Sequence, residues 1–252
     1  MNKISVYILT FNSEDRITDA IQSTLWADEV LVIDSHSTDK TVEIATQLGA
    51  HVILVDFKGF GNLRNQAISH CTHEWILSID SDERCTEYAQ KEILTIINDP
   101  QASDIYFIPR QNYVMGKKIR FSGWYPNFRQ PQLFKKGYLS HPEEDLVHEG
   151  YIANGTIAYL ENPIDQIPFK NISDFLDKAQ RYSTLGAQKL HDKGKRGGMF
   201  KALYHGLHSF IRHYFFKLGI LDGWPGFMIA FGNFEGTFYR YAKLTELQKK
   251  CK

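Results

Sequence analysis

The chain has 252 residues, in which 29 Lys and Arg balance 29 Asp and Glu, and hydrophobic residues make up 43%. This composition excludes intrinsic disorder, and the zero formal charge argues against a general nucleic-acid binder. The charge is uneven, because residues 186–252 hold 12 Lys and Arg against 4 Asp and Glu. The same tail holds 13 of the 34 aromatic residues, between Met199 and Tyr241. An acidic body and a basic, aromatic tail predict two surfaces with different partners.

The cysteines and the N-terminal residues indicate a compartment. The three cysteines are odd in number and lack metal-type spacing, which is typical of a reducing environment. The opening sequence MNKISVYILTF lacks the pattern of a signal peptide, and no run approaches 18 consecutive apolar residues. We therefore expect a cytosolic protein, or one that lies on a membrane without crossing it.

The first hundred residues alternate between two periods. Apolar runs at 4–9, 30–33, 51–55 and 75–79 predict strands, and the segments between them repeat apolar residues every three or four positions. This alternation with short connections predicts an α/β fold with a mostly parallel sheet. Asn12 or Ser13 is predicted to cap the first helix, and Thr38 or Asp39 the second.

The pattern changes beyond Pro100. Short strands are predicted at 104–109, 132–135, 151–153 and 156–160, and Asn154-Gly155 predicts a hairpin turn. A helix is predicted from about Ser173 to Leu190, followed by a loop at 193–198 and by one or two helices in the aromatic tail.

Polar clusters follow three of the predicted parallel strands: Thr10-Phe11-Asn12, Asp34-Ser35 and Asp80-Ser81-Asp82-Glu83. Ligands bind at the carboxyl ends of such strands. In an extended chain Asp80 and Asp82 point the same way, so both carboxylates can face one cation. Hard oxygen ligands at an open site suit Mg²⁺ or Mn²⁺. The alternative is a chance D-x-D that caps the next helix.

Other nucleotide-binding motifs do not fit. Gly59-Phe60-Gly61 begins like a dinucleotide fingerprint, but Arg64 stands where its third glycine belongs. Lys58, Arg64 and Asn65 predict a basic and polar patch at a helix start, suited to a phosphate or a nucleobase. A solvated helix start is the alternative interpretation.

Four segments in order carry a family resemblance: VYILTFNSEDRI, EVLVIDSHSTDKT, FKGFGNLRNQAI and EWILSIDSDE. In motif and spacing they resemble the family 2 inverting glycosyltransferases with a GT-A fold. Later segments, including IPRQNYVMGKKIRFSGWYP, QLFKK, VHEG and FKLGILDGWPGF, resemble the β-glucosyltransferases of lipopolysaccharide core assembly. The resemblance covers nearly the whole chain.

The resemblance implies a division of the chain into three parts. Residues 1–100 would form a Rossmann-like half that binds the nucleotide sugar, and residues 101–190 a mixed acceptor-binding half of the same GT-A domain. Residues 191–252 would form a C-terminal helical extension.

The resemblance also implies a UDP-sugar donor. Thr10, Asn12 and Glu14 would line the nucleoside pocket, with Asp34 at the uracil or ribose. Lys58 and Arg64 would support the base or the diphosphate. Asp80 and Asp82 would hold Mg²⁺ or Mn²⁺ on that diphosphate, where a cation stabilises the charge of the leaving group.

An inverting transfer needs a general base that accepts the proton of the attacking hydroxyl. Matched to the H-E motif of the subgroup, Glu149 is the first candidate and Asp145 the second. His148 is predicted to be a further metal or phosphate ligand, or else a histidine satisfied by backbone hydrogen bonds.

The acceptor side is predicted from aromatic and basic residues. Trp124 and Tyr125 offer a platform for a sugar face, with burial in the core as the alternative. Gln132 departs from the subgroup, in which Arg is common before Leu-Phe, and Arg129 is a candidate substitute.

The tail predicts peripheral membrane contact. Its helical pattern combines aromatic residues with Lys, Arg and His, which suits a membrane interface. Packing on the body or on a second subunit is the alternative. The expected location is the cytoplasm, peripheral on the cytoplasmic face of the inner membrane, with a saccharide or lipid-linked saccharide acceptor and no nucleic-acid partner.

Two other functions stay open at this point. A nucleotidyltransferase could use the same sheet and metal pair, although its basic, glycine-rich loop after the first strand is absent from the sequence. A non-catalytic nucleotide-sugar or membrane-binding module would bind the donor without turnover.

Overall fold

The computed structural model describes residues 2–128, 130–142, 150–169 and 171–250. The chain divides into two compact units. Unit 1 comprises Met1–Arg110 and Asn127–Gln166, and unit 2 comprises Gln111–Pro126 and Ile167–Lys252. This division follows packing, whereas the ranges 1–100, 101–190 and 191–252 were assigned by function and stay predictions.

The described strands are, in chain order, β1 (Ile4–Thr10), β2 (Glu29–Asp34), β3 (His51–Leu54), β4 (Trp75–Asp80), β5 (Glu83–Arg84), β6 (Ile105–Phe107), β7 (Arg110–Val114), β8 (Lys117–Lys118), β9 (Pro131–Lys135), β10 (Leu139–Ser140), β11 (Ile152–Ala153), β12 (Ile157–Tyr159) and β13 (Ile164–Gln166). The described α-helices are α1 (Ile17–Gln22), α2 (Thr41–Gln47), α3 (Phe60–His70), α4 (Glu87–Ile97), α5 (Ile172–Asp192), α6 (Met199–Ile211) and α7 (Trp224–Lys250).

Unit 1 is built on a seven-stranded sheet in the order β12-β6-β9-β4-β1-β2-β3. Strand β1 runs parallel to β2 and β4, β2 runs parallel to β3, and β12 runs parallel to β6. Strand β9 is antiparallel to both β4 and β6. The mostly parallel α/β sheet predicted from the sequence is therefore confirmed.

The central strands have continuous apolar sequences because both faces of the sheet are buried. Alternate residues of β1 enter two separate cores, with Val6 and Ile8 in one and Tyr7 and Leu9 in the other. Helices α1, α2 and α4 contribute side chains to the first core, and α3 contributes to the second. This layering holds the loops after β1, β2 and β4 at one edge of the sheet.

Two predictions of local structure are wrong. Helix α1 begins at Ile17, and neither Asn12 nor Ser13 caps it with a side chain. Helix α2 begins at Thr41, and there the predicted Asp39 does accept a hydrogen bond from the Thr41 backbone N–H at 3.0 Å. Asn12 is used elsewhere, because its side chain accepts a hydrogen bond from the loop after β2. Asn154-Gly155 does not close a hairpin, since β11 pairs with β10 and β12 pairs with β6.

Unit 2 contains the β7–β8 hairpin from Gln111 onward and the long helices α5, α6 and α7. Helix α7 packs against both α5 and α6. Between α6 and α7 the chain forms a π-helical turn, Arg212–Phe216, and a 3₁₀ turn, Gly219–Asp222. Within the described ranges, no helix combines the length and the apolar composition needed to cross a membrane.

The Gly61 position predicts a stability effect. A Cβ at Gly61 in the first turn of α3 would lie 2.1 Å from the carbonyl oxygen of Pro142. Gly61→Ala is expected to cost about 1–3 kcal/mol, because the clash outweighs the helix propensity of alanine. Gly236→Ala is the matched control, since its Cβ would meet nothing within 4 Å in α7. Thermal unfolding should show a lower Tm for the first variant only, and equal Tm values would contradict the close approach.

Candidate functional site

Three polar residues predicted from the sequence end neighbouring strands of unit 1. The register places Thr10 of β1 beside Asp34 of β2, and Leu9 of β1 beside Asp80 of β4. Because these strands are parallel, their carboxyl ends meet at one edge of the sheet. Thr10, Asp34 and Asp80 therefore share the edge at which α/β sheets bind ligands.

The loop after β1 is fastened to the loop after β2. The Asn12 backbone N–H donates to Ser37 Oγ at 2.8 Å, and Asn12 Oδ1 accepts from the Thr38 backbone N–H at 2.8 Å. Glu14 Oε2 accepts from the Lys40 backbone N–H at 3.1 Å. Asn12 has a φ of +48°, a left-handed conformation that asparagine tolerates. Asn12 and Glu14 thus shape this rim, while their contact with a nucleoside stays a prediction.

Asp34 is fully buried at the end of β2. One carboxylate oxygen accepts from the Ser37 backbone N–H at 2.7 Å, and the other accepts from Ser37 Oγ at 2.5 Å. The carboxylate therefore holds the start of the loop after β2. Its predicted contact with uracil or ribose is not tested by this arrangement and stays a prediction.

Arg64 lies beneath Asp80. Its Nη1 donates to Ser78 Oγ at 3.0 Å, and its Nη2 donates to the Asp80 carboxylate at 3.2 Å. The Arg64 side chain is 2% exposed, whereas that of Asp80 is 29% exposed. Arg64 is thus placed to hold the aspartate, and Asp80 keeps a solvent-facing surface at the carboxyl edge of the sheet.

Asp82 does not continue the extended strand, because Ser81 and Asp82 form a turn. Strand alternation therefore does not align the carboxylates of Asp80 and Asp82 toward one cation. Asp82 Oδ2 accepts from Gln166 Nε2 at 3.3 Å. Among the residues that the structure describes, no group of three or more His, Cys, Asp and Glu side chains could hold a metal ion. Asp80 and Asp82 still supply carboxylate oxygens, the hard donors that Mg²⁺ and Mn²⁺ bind together with substrate phosphates.

A buried polar network that was not predicted from the sequence supports the end of β4. Glu83 is fully buried and accepts a hydrogen bond from Arg110 Nε. Its second oxygen accepts from the Asp80 backbone N–H and from Gln132 Nε2, both at 3.0 Å. Gln132 also donates to the Ser78 carbonyl at 3.1 Å. The network fixes the backbone from which Asp80 projects.

The electrostatics of this network are dominated by burial. Burial raises the pKa of the Glu83 carboxyl to about 7, although the nearby Arg110 guanidinium acts to lower it. The negative charges of Asp80 and Asp82 also raise the pKa of Glu83. The position of Glu83 directly after D-x-D was a usable signal, whereas nothing in the sequence linked Arg110 to it.

The predicted patch at the start of α3 is divided by the fold. Lys58 is exposed, whereas Arg64 is buried below the sheet edge. Asn65 binds the backbone of His141 in both directions, accepting from its N–H at 2.9 Å and donating to its carbonyl at 2.8 Å. Asn65 thereby ties α3 to the segment after β10.

His141 gives a prediction of pH dependence. The residue is 4% exposed, and its Nδ1 lies 2.9 Å from the Gly150 carbonyl oxygen. Burial lowers the pKa of His141 to about 4, so the folded state binds its proton only below that pH. The unfolded state binds it below about pH 6.5, so the folded state should lose up to about 3 kcal/mol as pH falls from 6.5 to 4.

Comparing variants isolates this contribution. Chemical denaturation at several pH values should show a shallower loss of stability in His141→Gln than in the wild type. His51→Gln is the control, because it removes a histidine that is exposed on β3. Equal slopes for the wild type and His141→Gln would show that this histidine is not held neutral.

Four predicted site residues lie outside the described residues: Glu149 and Asp145, the candidate bases, His148, the candidate ligand, and Arg129, the candidate acceptor contact. Their roles stay predictions.

The predicted acceptor platform belongs to unit 2. Trp124 lines a cavity of about 200 Å³, and Tyr125 is 38% exposed. The other cavity residues are aromatic, cationic or small and polar, and include Phe169, Phe175, Lys178, Tyr182, Asn233 and Arg240. Aromatic faces beside cationic and hydrogen-bonding groups can hold a saccharide that carries an anionic substituent.

Comparison with sequences of known proteins gives consistent matches. The model of the family described as Glycosyl transferase family 2 matches residues 5–149. An uncharacterized glycosyltransferase of Rickettsia felis is 30% identical, with 100% of this chain and 93% of the relative covered. A relative in Rhizobium meliloti, named lipopolysaccharide core biosynthesis glycosyltransferase LpsC, is 23% identical over 96% of this chain and 91% of its own.

Comparison with solved structures supports the same fold. The structure of S. aureus TarS residues 1–349 in complex with UDP-GlcNAc superimposes with a TM-score of 0.52 at 17% identity. The alignment covers 99% of this chain and 92% of that one. The GT-A fold class expected from the sequence is thereby confirmed.

Proposed function

The chain belongs to glycosyl transferase family 2, and on that premise we propose that it moves a sugar, with inversion, from a UDP-sugar to a saccharide of a lipid-linked envelope glycan such as lipopolysaccharide core. The observation that carries the donor half is Asp80, partly exposed at the carboxyl edge of the sheet and held from below by Arg64. The relatives support the class of donor and acceptor, since one fold neighbour was solved with UDP-GlcNAc and LpsC is named for lipopolysaccharide core biosynthesis.

We assign a divalent cation, Mg²⁺ or Mn²⁺, to Asp80 and Asp82. When bound, such an ion stabilises the negative charge of the departing nucleoside diphosphate. The protein holds the Asp80 carboxylate in a fixed position. Arg64 holds that carboxylate from one side, and Glu83 accepts the N–H of the Asp80 backbone. The loops tied by Asn12, Glu14 and Asp34 would form the nucleoside side of the site.

Inversion requires a base on the face of the sugar opposite the leaving group, where it removes the proton of the attacking hydroxyl. We assign this role to Glu149, with Asp145 as the second candidate and His148 as a phosphate or metal ligand. Each is tested by replacement: loss of turnover with unchanged UDP binding is expected for the base, and weaker UDP binding for a ligand.

Trp124 is proposed to bind the acceptor, because it lines the aromatic and cationic cavity of unit 2. Trp124→Ala is expected to raise the KM for the acceptor by about tenfold, equivalent to about 1.4 kcal/mol, through loss of a stacking face. Steady-state kinetics should show an unchanged KM for the donor. Tyr88→Ala, an exposed aromatic of unit 1, is the control and should change neither constant. A raised donor KM in Trp124→Ala would contradict this assignment.

Thermal stability against a panel of nucleotides tests the donor half. UDP and UDP-sugars, with and without Mn²⁺, should raise the Tm, since a ligand at 100 times its Kd adds about 2.7 kcal/mol. The shift should require the metal and disappear in Asp82→Ala. Absence of a shift with every nucleotide, in folded protein, would refute the proposal. A shift without any turnover on saccharide acceptors would favour the non-catalytic binding module.

An acceptor linked to lipid places the reaction at a membrane surface. We propose that the protein is peripheral on the cytoplasmic face of the inner membrane and reaches its acceptor there. The basic and aromatic tail, residues 191–252, supports this location because it suits anionic headgroups.

A further inference from the structure

Helix α6 exposes most of its large apolar residues, whereas an ordinary surface helix buries them. Its side facing α7 includes two small residues, with Ala202 fully buried and Gly206 placed so that a Cβ would lie 3.0 Å from the Phe234 ring. Phe210 also packs on α7, against Phe227, but the other large apolar residues are exposed, and Phe200 is 92% exposed. A surface helix normally packs its large apolar stripe against the rest of the protein. The outward stripe of α6 is apolar but remains exposed to solvent.

The outward apolar residues form one stripe. Phe200, Leu203, Tyr204, Leu207 and Ile211 follow the three- and four-residue spacing of one helix face, and all are exposed. The turns that follow α6 add further exposed apolar side chains, with Phe216 81% exposed, and the series ends at Leu221 and Trp224. We call these residues the docking face. Scattered exposed apolar residues are normal, but a continuous series of large ones marks an interaction surface.

The positive charge of residues 193–221 indicates an anionic partner for the docking face. Residues 193–221 contain no Asp or Glu, whereas the basic residues among them are Lys193, Lys195, Arg196, Lys201, Arg212 and Lys217. A surface that combines aromatic side chains with cations alone is complementary to anionic headgroups over an apolar layer. A symmetric contact with a second copy would oppose the same cations to one another, which disfavours that occupant.

The length of α6 determines how it meets the membrane. The helix has 13 residues, and about 20 are needed to span the hydrocarbon core. Its two faces also differ, which suits a helix that lies in the plane of the interface.

We infer that the docking face inserts into the interfacial layer of an anionic lipid bilayer, with α6 parallel to the surface and its lysines and arginines at the headgroups. This inference rests on the proposed peripheral location and specifies the residues that produce it. Contact with the bilayer is then a property of unit 2, separate from the donor site in unit 1.

Vesicle sedimentation with the full chain tests the inference. Vesicles of phosphatidylcholine alone are compared with vesicles containing phosphatidylglycerol. The wild type should bind the anionic vesicles at least about tenfold more tightly, and binding should weaken with salt. The double variant Phe200→Ser/Phe216→Ser should lose at least about tenfold in affinity for anionic vesicles, because two exposed rings no longer insert. Tyr88→Ser is the matched control, with an exposed ring in unit 1, and should bind like the wild type.

A charge variant provides a second measurement. Lys201→Gln/Arg212→Gln should reduce the preference for anionic vesicles while leaving the apolar side chains in place. Wild-type protein that does not sediment with anionic vesicles, or a double phenylalanine variant that binds as well as the wild type, would overturn the inference. A wild-type dimer that the phenylalanine variant dissociates would also overturn it, in favour of a second copy.

The result is separable from that of the proposed function. The phenylalanine variant should keep its Tm shift with UDP and Mn²⁺, because the donor site lies in unit 1. Vesicle binding without any nucleotide shift in the wild type would refute the transferase proposal and leave the docking face intact. A Tm shift with nucleotide but no vesicle binding would overturn the membrane inference and leave the transferase proposal intact.

Discussion

Asp80→Ala is expected to reduce the rate of sugar transfer by about a thousandfold, or about 4 kcal/mol of transition-state stabilisation. The variant removes the partly exposed carboxylate at the end of β4 and leaves the buried Arg64 without its carboxylate partner at that position. The first loss removes the oxygen donor proposed for the cation. The second allows Arg64 to reorient beneath the diphosphate.

Asp80→Asn separates the two effects, because the amide keeps the shape of the side chain and one oxygen for Arg64 but lacks the negative charge. Both variants should have a low kcat and no metal-dependent Tm shift with UDP. Asp99→Ala is the control, since Asp99 is exposed after α4 and should leave transfer unchanged. Transfer within about tenfold of the wild type in folded Asp80→Ala would remove Asp80 from the reaction.

Glu83→Ala is expected to lower the free energy of unfolding by about 3–5 kcal/mol, which corresponds to a fall in Tm of roughly 10 °C in a chain of this size. The change removes the carboxylate paired with the buried Arg110 guanidinium, the acceptor of the Asp80 N–H and one of the two acceptors of the Gln132 amide. Arg110 and Gln132 are almost fully buried, so the loss of a partner carries the desolvation penalty of a buried polar group.

The double variant Glu83→Met/Arg110→Met tests the cause, because it removes both buried charges and should recover part of the stability lost by Glu83→Ala. Asp56→Ala is the control for a carboxylate whose side-chain contact is exposed to solvent. The Asp56 side chain is 78% exposed and lies 2.9 Å from His36, so its loss should cost about 1 kcal/mol or less. A cost below about 1 kcal/mol for Glu83→Ala would show that the network does not support the end of β4.

The two expected results are linked through the backbone of Asp80. Its N–H is held by Glu83, while its carboxylate is held by Arg64. A donor carboxylate held from both sides needs little reorganisation when charge develops on the leaving group, which is the condition for electrostatic catalysis.

The sequence determined the central sheet, because strands buried on both faces need uninterrupted apolar runs and their helices need a regular apolar stripe. It also determined the family, since the four segments that carry the resemblance lie at the ends of those strands and in α3. These signals are local in the chain, and each can be read within a window of about a dozen residues.

The tertiary structure decided what depends on distant residues. Gln132 reaches Glu83 because β9 pairs with β4, and Arg110 reaches it because β5 and β7 both flank β13 in a four-stranded sheet. No spacing in the sequence encodes these contacts. Asn12 looks like a helix cap in isolation, yet it binds Thr38 because the adjacent loop offers a donor. The period of the apolar stripe of α6 is compatible with the membrane contact predicted from the sequence and with packing on the body, which was the alternative. Only the packing of Ala202 and Gly206 toward α7 shows that it faces outward, because close approach of two helices requires the small residues inside.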